Sequence, residues 1–375
     1  KYVFISYICR AKLNLLSLSM IYTKSRYFFL SLMMLSASLA EAKEEEKEQT
    51  LQEEITEYIY HHVQDSHDFS FFSTKDKETG KKKYYGFPLP VILVDEGIKI
   101  FMSSKLDHGK KVVNASGKYY KLYHGKIYET DSEGYISYDD EGNVTNTKPL
   151  DLSITKSVFS ILLISLLMFW LFTSLAKSYR DNNQIASGIG RFFEPIVLLI
   201  RDEIAIPSIG ENHYKKYMSF LLTLFFFIWF LNLLGLSPLG VNVTGNIAVT
   251  FGLALITFLI TNLTANKTYW KHIFWMPGVP IWLKPLLAPI ELLGVFIKPF
   301  SLMIRLYANI LAGHIVLYSL IGLIFIFKNL VGSSLSLVLV FFISIIEVLV
   351  ALLQAYIFTL LSALYFGFAV QEDDH

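Results

Sequence analysis

The sequence predicts an all-α polytopic membrane protein with about five membrane helices, the last two forming a long oblique hairpin, preceded by a small β-rich extracytoplasmic domain. Three observations carry this expectation. Of 375 residues, 53% are hydrophobic and only 17% charged, too apolar for an ordinary soluble chain of this length. The charge is badly mixed: 43–150 holds most of the Lys, Asp and Glu, whereas 152–370 is nearly all Leu, Ile, Phe, Val and Ala. Between 69 and 147, short Tyr/Val/Ile runs are broken by "DHGKK", "NASGK", "YHGK", "DSEG" and "DEGN", the turn chemistry of antiparallel strands. Three parts follow from this: 1–42, 43–150 and a membrane domain over 151–375.

From Met20 the chain reads as a secretory signal: Lys24 and Arg26 are the basic flank, "YFFLSLMML" the short apolar core, and Ala40-Glu41-Ala42 a small-residue cleavage site. A core of about nine residues is too short to cross a bilayer about 30 Å thick. "KEEEKEQTLQEEITEYIYHHV" reads as an exposed, charged helix. A net charge of +1 offers no basic stripe for nucleic acid. The single cysteine, Cys9, excludes an internal disulfide framework and a cysteine-based metal cluster. His61, His62 and His67 are spaced like loose metal ligands but lack a fourth at a set distance, so no metal and no cofactor is expected.

Five apolar stretches follow: Ile154–Ala176, Tyr217–Leu236, Ile247–Leu263, one from Leu286 to Phe327, and Leu335–Val370. Segments 177–216 and 266–285 are rich in Lys and Arg, whereas 237–246 has neither. The positive-inside rule places the first two in the cytoplasm and the N-terminal domain outside, in agreement with the signal. "SGIGRFFEPIVLLIRDEIA" is amphipathic and suits the membrane surface. A continuous helix from Phe300 to Phe327 would measure about 42 Å and one over Leu335–Val370 about 54 Å, so both exceed the hydrocarbon core and must tilt or bend. Pro289, Gly294 and Pro299 are expected to interrupt the approach to the first of them.

Charges inside spanning segments are costly and mark pathways. Here they are Glu291, Lys298, Arg305 and Glu347, with His314, Asn309 and Gln354 as polar companions. A hairpin turn near Val331 brings His314 level with Glu347, and Arg305 within about a turn of Gln354. Ser301, Arg305, Ala308, Asn309 and Ala312 share one face, small apart from the arginine, so another helix can approach it closely. Glu347, Ala351, Gln354, Phe358 and Tyr365 lie on one line of the last helix, and His314 is half a turn of azimuth from Arg305. One side of the helix is thus expected to serve the arginine and the other a His/Glu site. Plainer readings compete: Arg305 snorkelling to an interface, His314 and Glu347 as a structural pair, Glu291 and Lys298 as interfacial charges, Asn232 as a helix–helix hydrogen bond.

"KPFSLMIRLYANILAGH" together with "IIEVLVALLQAYIFTLLSALYFGFAV" resembles subunit a of the F-type rotary ATP synthase, and the likeness extends over about 152–370. "FLLTLFFFIWFLNLLGLSPLG" and the "YIYHHV" stretch share it. The resemblance implies a stator subunit of the membrane motor in a bacterial inner membrane, with two proton half-channels against a c-ring and no catalytic site of its own. Its partners would be the c-ring, the peripheral-stalk b subunit, protons and the lipid bilayer. Arg305 would face the ring carboxylate with Gln354 beside it, supported by Lys298 and Ser301; Gln354 and Asn309 would belong to the proton path, His314 and Glu347 would relay protons outside, and Glu291 would serve the inner exit. Family members commonly carry an acid at the position of His314 and a histidine at that of Glu347, so the pair is exchanged here. The β-rich 69–147 is a further departure. An ion-coupled secondary transporter is the alternative, but it calls for repeated halves, which the sequence does not show. A membrane-anchored sensor would leave Arg305 unexplained.

Overall fold

The computed structural model describes residues 65–75, 82–181, 188–237, 241–276, 278–327 and 329–371. The expected signal peptide and the charged helix after it lie outside these. All described residues belong to one compact unit.

The first part is β-rich, as expected, and every strand pair is antiparallel. Strands β1 (Asp68–Lys75) and β2 (Lys82–Pro88) form a hairpin with a bulge between Ser70 and Phe72. Strand β3 (Pro90–Val94) lies between β4 (Ile98–Met102) and β8 (Leu150–Asp151), and β5 (Val113–Ala115), β6 (Lys118–Tyr123) and β7 (Lys126–Thr130) make a meander. The meander's two-residue loops are Ser116-Gly117 and His124-Gly125, all four at positive φ, the mirror-image turn that matches strand twist. Val91, Leu93 and Phe101 pack with Val113, Tyr120 and Ile127 in a core of their own. On β4 the simple alternation is inverted: Ile98 and Ile100 face out, whereas Lys99 is buried and donates to the Tyr120 hydroxyl at 2.6 Å. Tyr120 donates in turn to Asp95 at 2.7 Å, so the buried cation has its partners.

The β domain is seated on the first membrane helix, α1 (Lys156–Asp181). Phe69 and Phe87 stack at 4.9 Å and both meet Phe159 edge-on. The start of α1 is capped from a distance: Ser157 N donates to the Asp65 carboxylate at 3.0 Å and Lys156 N to the Ser66 carbonyl at 2.8 Å.

Helix α2 (Ile189–Leu199) runs through a π-helical turn, Ile200–Ala205, into α3 (Ile206–Ile209). Ile200, Ile204 and Ala205 are buried in the main core, while Phe192 and Leu199 stay exposed. This amphipathic stretch therefore packs on protein along one side instead of only lying on lipid. The central span is α4 (Tyr214–Leu236), all-round apolar and in contact with α1 and α8. Helix α5 (Ile247–Leu263) has 17 residues and qualifies as a span only together with α6 (Lys267–Phe274), from which it is bent by 100°. Among the described residues, four helices are long and apolar enough alone to cross a membrane, and up to five spans result if the bent pair is one.

The hairpin is longer than expected. Helix α7 (Lys284–Ile326) has 43 residues and α8 (Leu330–Val370) has 41; at about 1.5 Å per residue both exceed 60 Å, about twice the hydrocarbon thickness. Pro289 and Pro299 do not interrupt α7; both lie inside it. Helix α7 ends at Ile326 and α8 begins at Leu330, just before Val331, and Asn329 caps α8 through Gly332 N.

Candidate functional site

The hairpin has two kinds of surface. On α7, Leu302, Met303 and Leu306 are buried, while Ser301, Arg305, Ala308, Asn309 and Ala312 are all exposed together, as their shared azimuth requires. On α8, Glu347, Ala351, Gln354 and Phe358 form a buried line, with Tyr365 half-buried. Asn309 Nδ2 donates to Gln354 Oε1 at 2.6 Å across the two helices. This ties the arginine face to the last helix one turn after Arg305. Among the described residues Arg305 has no hydrogen bond or ion pair, so its guanidinium stands on a small-residue face in an apolar helix, presented outward.

His314 and Glu347 do come level. A Cβ placed on Gly313 would sit 2.9 Å from Glu347 Oε1, so the carboxylate lies against the residue next to His314. The expected division of faces needs correction, however. Asn309 and Gly313, four apart on α7, meet Gln354 and Glu347, seven apart on α8, along one contact line. Only His314 turns elsewhere: its Nε2 is 3.3 Å from where a Cβ on Gly235 of α4 would be, and its ring stacks with Tyr318 at 6.0 Å. No hydrogen bond or ion pair joins His314 to Glu347 among the described residues. His314 Nδ1, both Glu347 oxygens and Gln354 Nε2 are buried with no hydrogen-bond partner within the described chain. Buried polar atoms left this way are unusual and concentrate where groups do chemistry.

Asn232 is a helix–helix linker, as the plainer reading had it. It accepts from Thr244 at 2.7 Å and donates to the Ala351 carbonyl at 3.5 Å, between Glu347 and Gln354. Lys298 lies over the rings of Tyr365 and Phe368, at 5.8 and 5.7 Å. With Thr257, Thr261, Asn262, Tyr269 and Tyr365 it lines a cavity of about 20 Å³, near the volume of one water. This cavity was not anticipated; the threonines at i and i+4 within an otherwise apolar stretch were the available clue. Gly235 and Gly313 were also missed, because their role is the clearance they leave. Glu291 is exposed near the start of α7, about 27 Å along the helix from Asn309, and is not brought to the other site residues. His67 bonds Asp151 at 2.8 Å, His61 and His62 lie outside the described residues, and no group of three or more His, Cys, Asp or Glu able to hold a metal occurs among the described residues.

Comparison with known proteins matches this architecture. The family model described as "ATP synthase A chain" matches residues 158–367, and a domain of unknown function matches 58–152. ATP synthase subunit a of Myxococcus xanthus is 44% identical over 60% of this chain and 77% of its own length. That of Chloroherpeton thalassium is 40% identical over 60% of this chain and 69% of its own. ATP synthase subunit a 2 of Prosthecochloris aestuarii is 34% identical over 78% of this chain and 94% of its own. The first model spans more than half of the chain and contains every residue of the hairpin site, from Glu291 to Gln354. The chain belongs to the ATP synthase A chain family.

Proposed function

We propose that this chain, a multi-pass stator component of the proton-translocating motor of ATP synthase, works on the c-ring through Arg305. The observation that carries this reading is an outward-facing guanidinium, without a hydrogen bond or ion pair among the described residues, on a small-residue face tied by Asn309 to Gln354. A ring carboxylic acid exposed to lipid prefers its neutral form. Opposite a fixed cation the ionised form is favoured, and the proton leaves. Arginine suits the task because it stays charged where a lysine loses its proton. The same charge bars protons from passing straight between two offset half-channels. Each proton falling through 100 mV supplies about 2.3 kcal/mol for rotation.

His314 and Glu347 form the outer relay in this reading, level with each other and set against the glycines of α4 and α7. Glu291 serves the inner exit, and Ser301 and Lys298 support α7. The basic segments 177–216 and 266–285 face the cytoplasm of a bacterial cell, the β domain lies in the periplasm behind a cleaved signal, and the peripheral-stalk b subunit is a further partner. The nucleotide chemistry belongs to other subunits. The transporter alternative finds no support among the relatives.

The test uses inverted vesicles from cells whose only copy carries Arg305→Ala. ATP-driven acidification should be abolished with the complex still assembled, and passive proton leak should rise once the catalytic head is removed. Normal pumping would refute the role of Arg305.

A further inference from the structure

We propose that the bent segment from Lys267 to Lys284 is a binding surface for anionic phospholipid headgroups at the foot of α7. This does not rest on the proton-path assignment. No Asp or Glu occurs between Glu211 and Glu291, and Lys267, Lys271 and Lys284 have no ion pair among the described residues. Lys267 and Lys271 are exposed one turn apart on α6, and Lys284 Nζ lies 4.2 Å above the Trp275 ring.

Large apolar side chains are exposed beside these cations: Phe274 53%, Trp275 52%, Ile281 72% and Trp282 77%. The opposite side of α6 is anchored, with Ile273 buried and Tyr269 lining the inner cavity. The bend is pinned to the end of α8, where Asn266 donates from N to the Ala369 carbonyl at 2.8 Å and from Nδ2 to the Val370 carbonyl at 3.0 Å. Thr264 accepts from the Tyr217 hydroxyl at 2.7 Å and so holds α4 to the same place. An acidic protein would satisfy the lysines but leave the aromatic groups uncovered. The surface of an anionic bilayer satisfies both, with rings at headgroup level and ammonium groups on phosphate. Headgroup binding would thereby hold the start of the helix that carries Arg305.

The test places the full chain in phosphatidylcholine nanodiscs doped with a minor fraction of either phosphatidylglycerol or phosphatidylcholine brominated near the headgroup. Three of the five tryptophans, Trp270, Trp275 and Trp282, lie in this segment. Brominated phosphatidylglycerol should quench fluorescence severalfold more than brominated phosphatidylcholine, since each lysine near anionic lipid is worth about fivefold. Lys267→Gln/Lys271→Gln/Lys284→Gln should fall to the phosphatidylcholine level, and the triple arginine variant should keep the excess. Equal quenching by both lipids in the unaltered chain would overturn the proposal and point to an acidic protein instead. So would an excess that survives the glutamine variant, or its loss in the folded arginine variant.

Discussion

Gly313→Ala isolates the position of the Glu347 carboxylate from the stability of the fold. The added Cβ would lie 2.9 Å from Glu347 Oε1, so the carboxylate must retreat by at least about half an ångström to reach the 3.4 Å at which ordinary contact begins. The atom that moves is the end of a flexible side chain, and alanine gains up to about 1 kcal/mol over glycine within a helix. The complex should therefore assemble normally. Displacing a reacting group by about 1 Å costs up to about a hundredfold in rate, so about a tenfold loss of proton flux is expected. Gly294→Ala is the control, since nothing lies within 4 Å of the Cβ it adds to the same helix. ATP-driven acidification in inverted vesicles, normalised to assembled complex, reads the difference. Equal pumping by the two variants would refute the placement of Glu347 on the path. A loss that merely tracks poor assembly would show that Gly313 serves packing alone.

Gly367→Ala should behave in the opposite way. Its Cβ would overlap the Ser208 carbonyl oxygen, a backbone atom that cannot swing aside, where α3 crosses α8, at a cost of about 3 kcal/mol; the amount of folded chain in membranes should fall, and normal levels would contradict the crossing. For Asn309→Ala and Gln354→Ala, a double-mutant cycle on pumping should show coupling of about 1 kcal/mol, and strict additivity would mean that their 2.6 Å bond is idle. In the β domain, burial pulls the Asp151 carboxyl upward, but hydrogen bonds from His67 and Ser153 outweigh it and hold the group at about 2 against an ordinary 3.8. A folded value below the unfolded one gives stability that is complete above about pH 4 and is lost as pH falls toward 2. Hydrogen exchange of the β3 amides in the full chain should speed up across that window, and Asp151→Asn should remove the dependence.

Much of the hairpin site was legible from spacing. Arg305 and Asn309 share an azimuth because helical periodicity leaves no choice, and the level of His314 with Glu347 follows from counting back from the turn. Less was legible at the helix ends. Pro289 and Pro299 read as interruptions, yet α7 runs through both, because packing in a long helix tolerates a lost backbone bond that local propensity disfavours. On β4 the sequence pattern does not reveal that Lys99 is the inward residue and Ile100 the outward one. Of the groups that make this burial tolerable, Asp95 sits four residues away in the β3–β4 turn, but the Tyr120 hydroxyl comes from β6, about twenty residues on.

Composition and period alone determined that this chain spans a membrane, that a β-rich domain precedes the spans, and which residues carry charge into the apolar hairpin. These are properties of single segments, set by transfer energies and backbone geometry. Only the tertiary structure decided which faces meet. It set Asn309 and Gly313 against Gln354 and Glu347 along one line, turned His314 away toward Gly235, and left Arg305 facing outward. The physical reason is that azimuth within a helix is local, whereas the choice of neighbour depends on where a glycine, such as Gly235 or Gly313, lets another side chain come close.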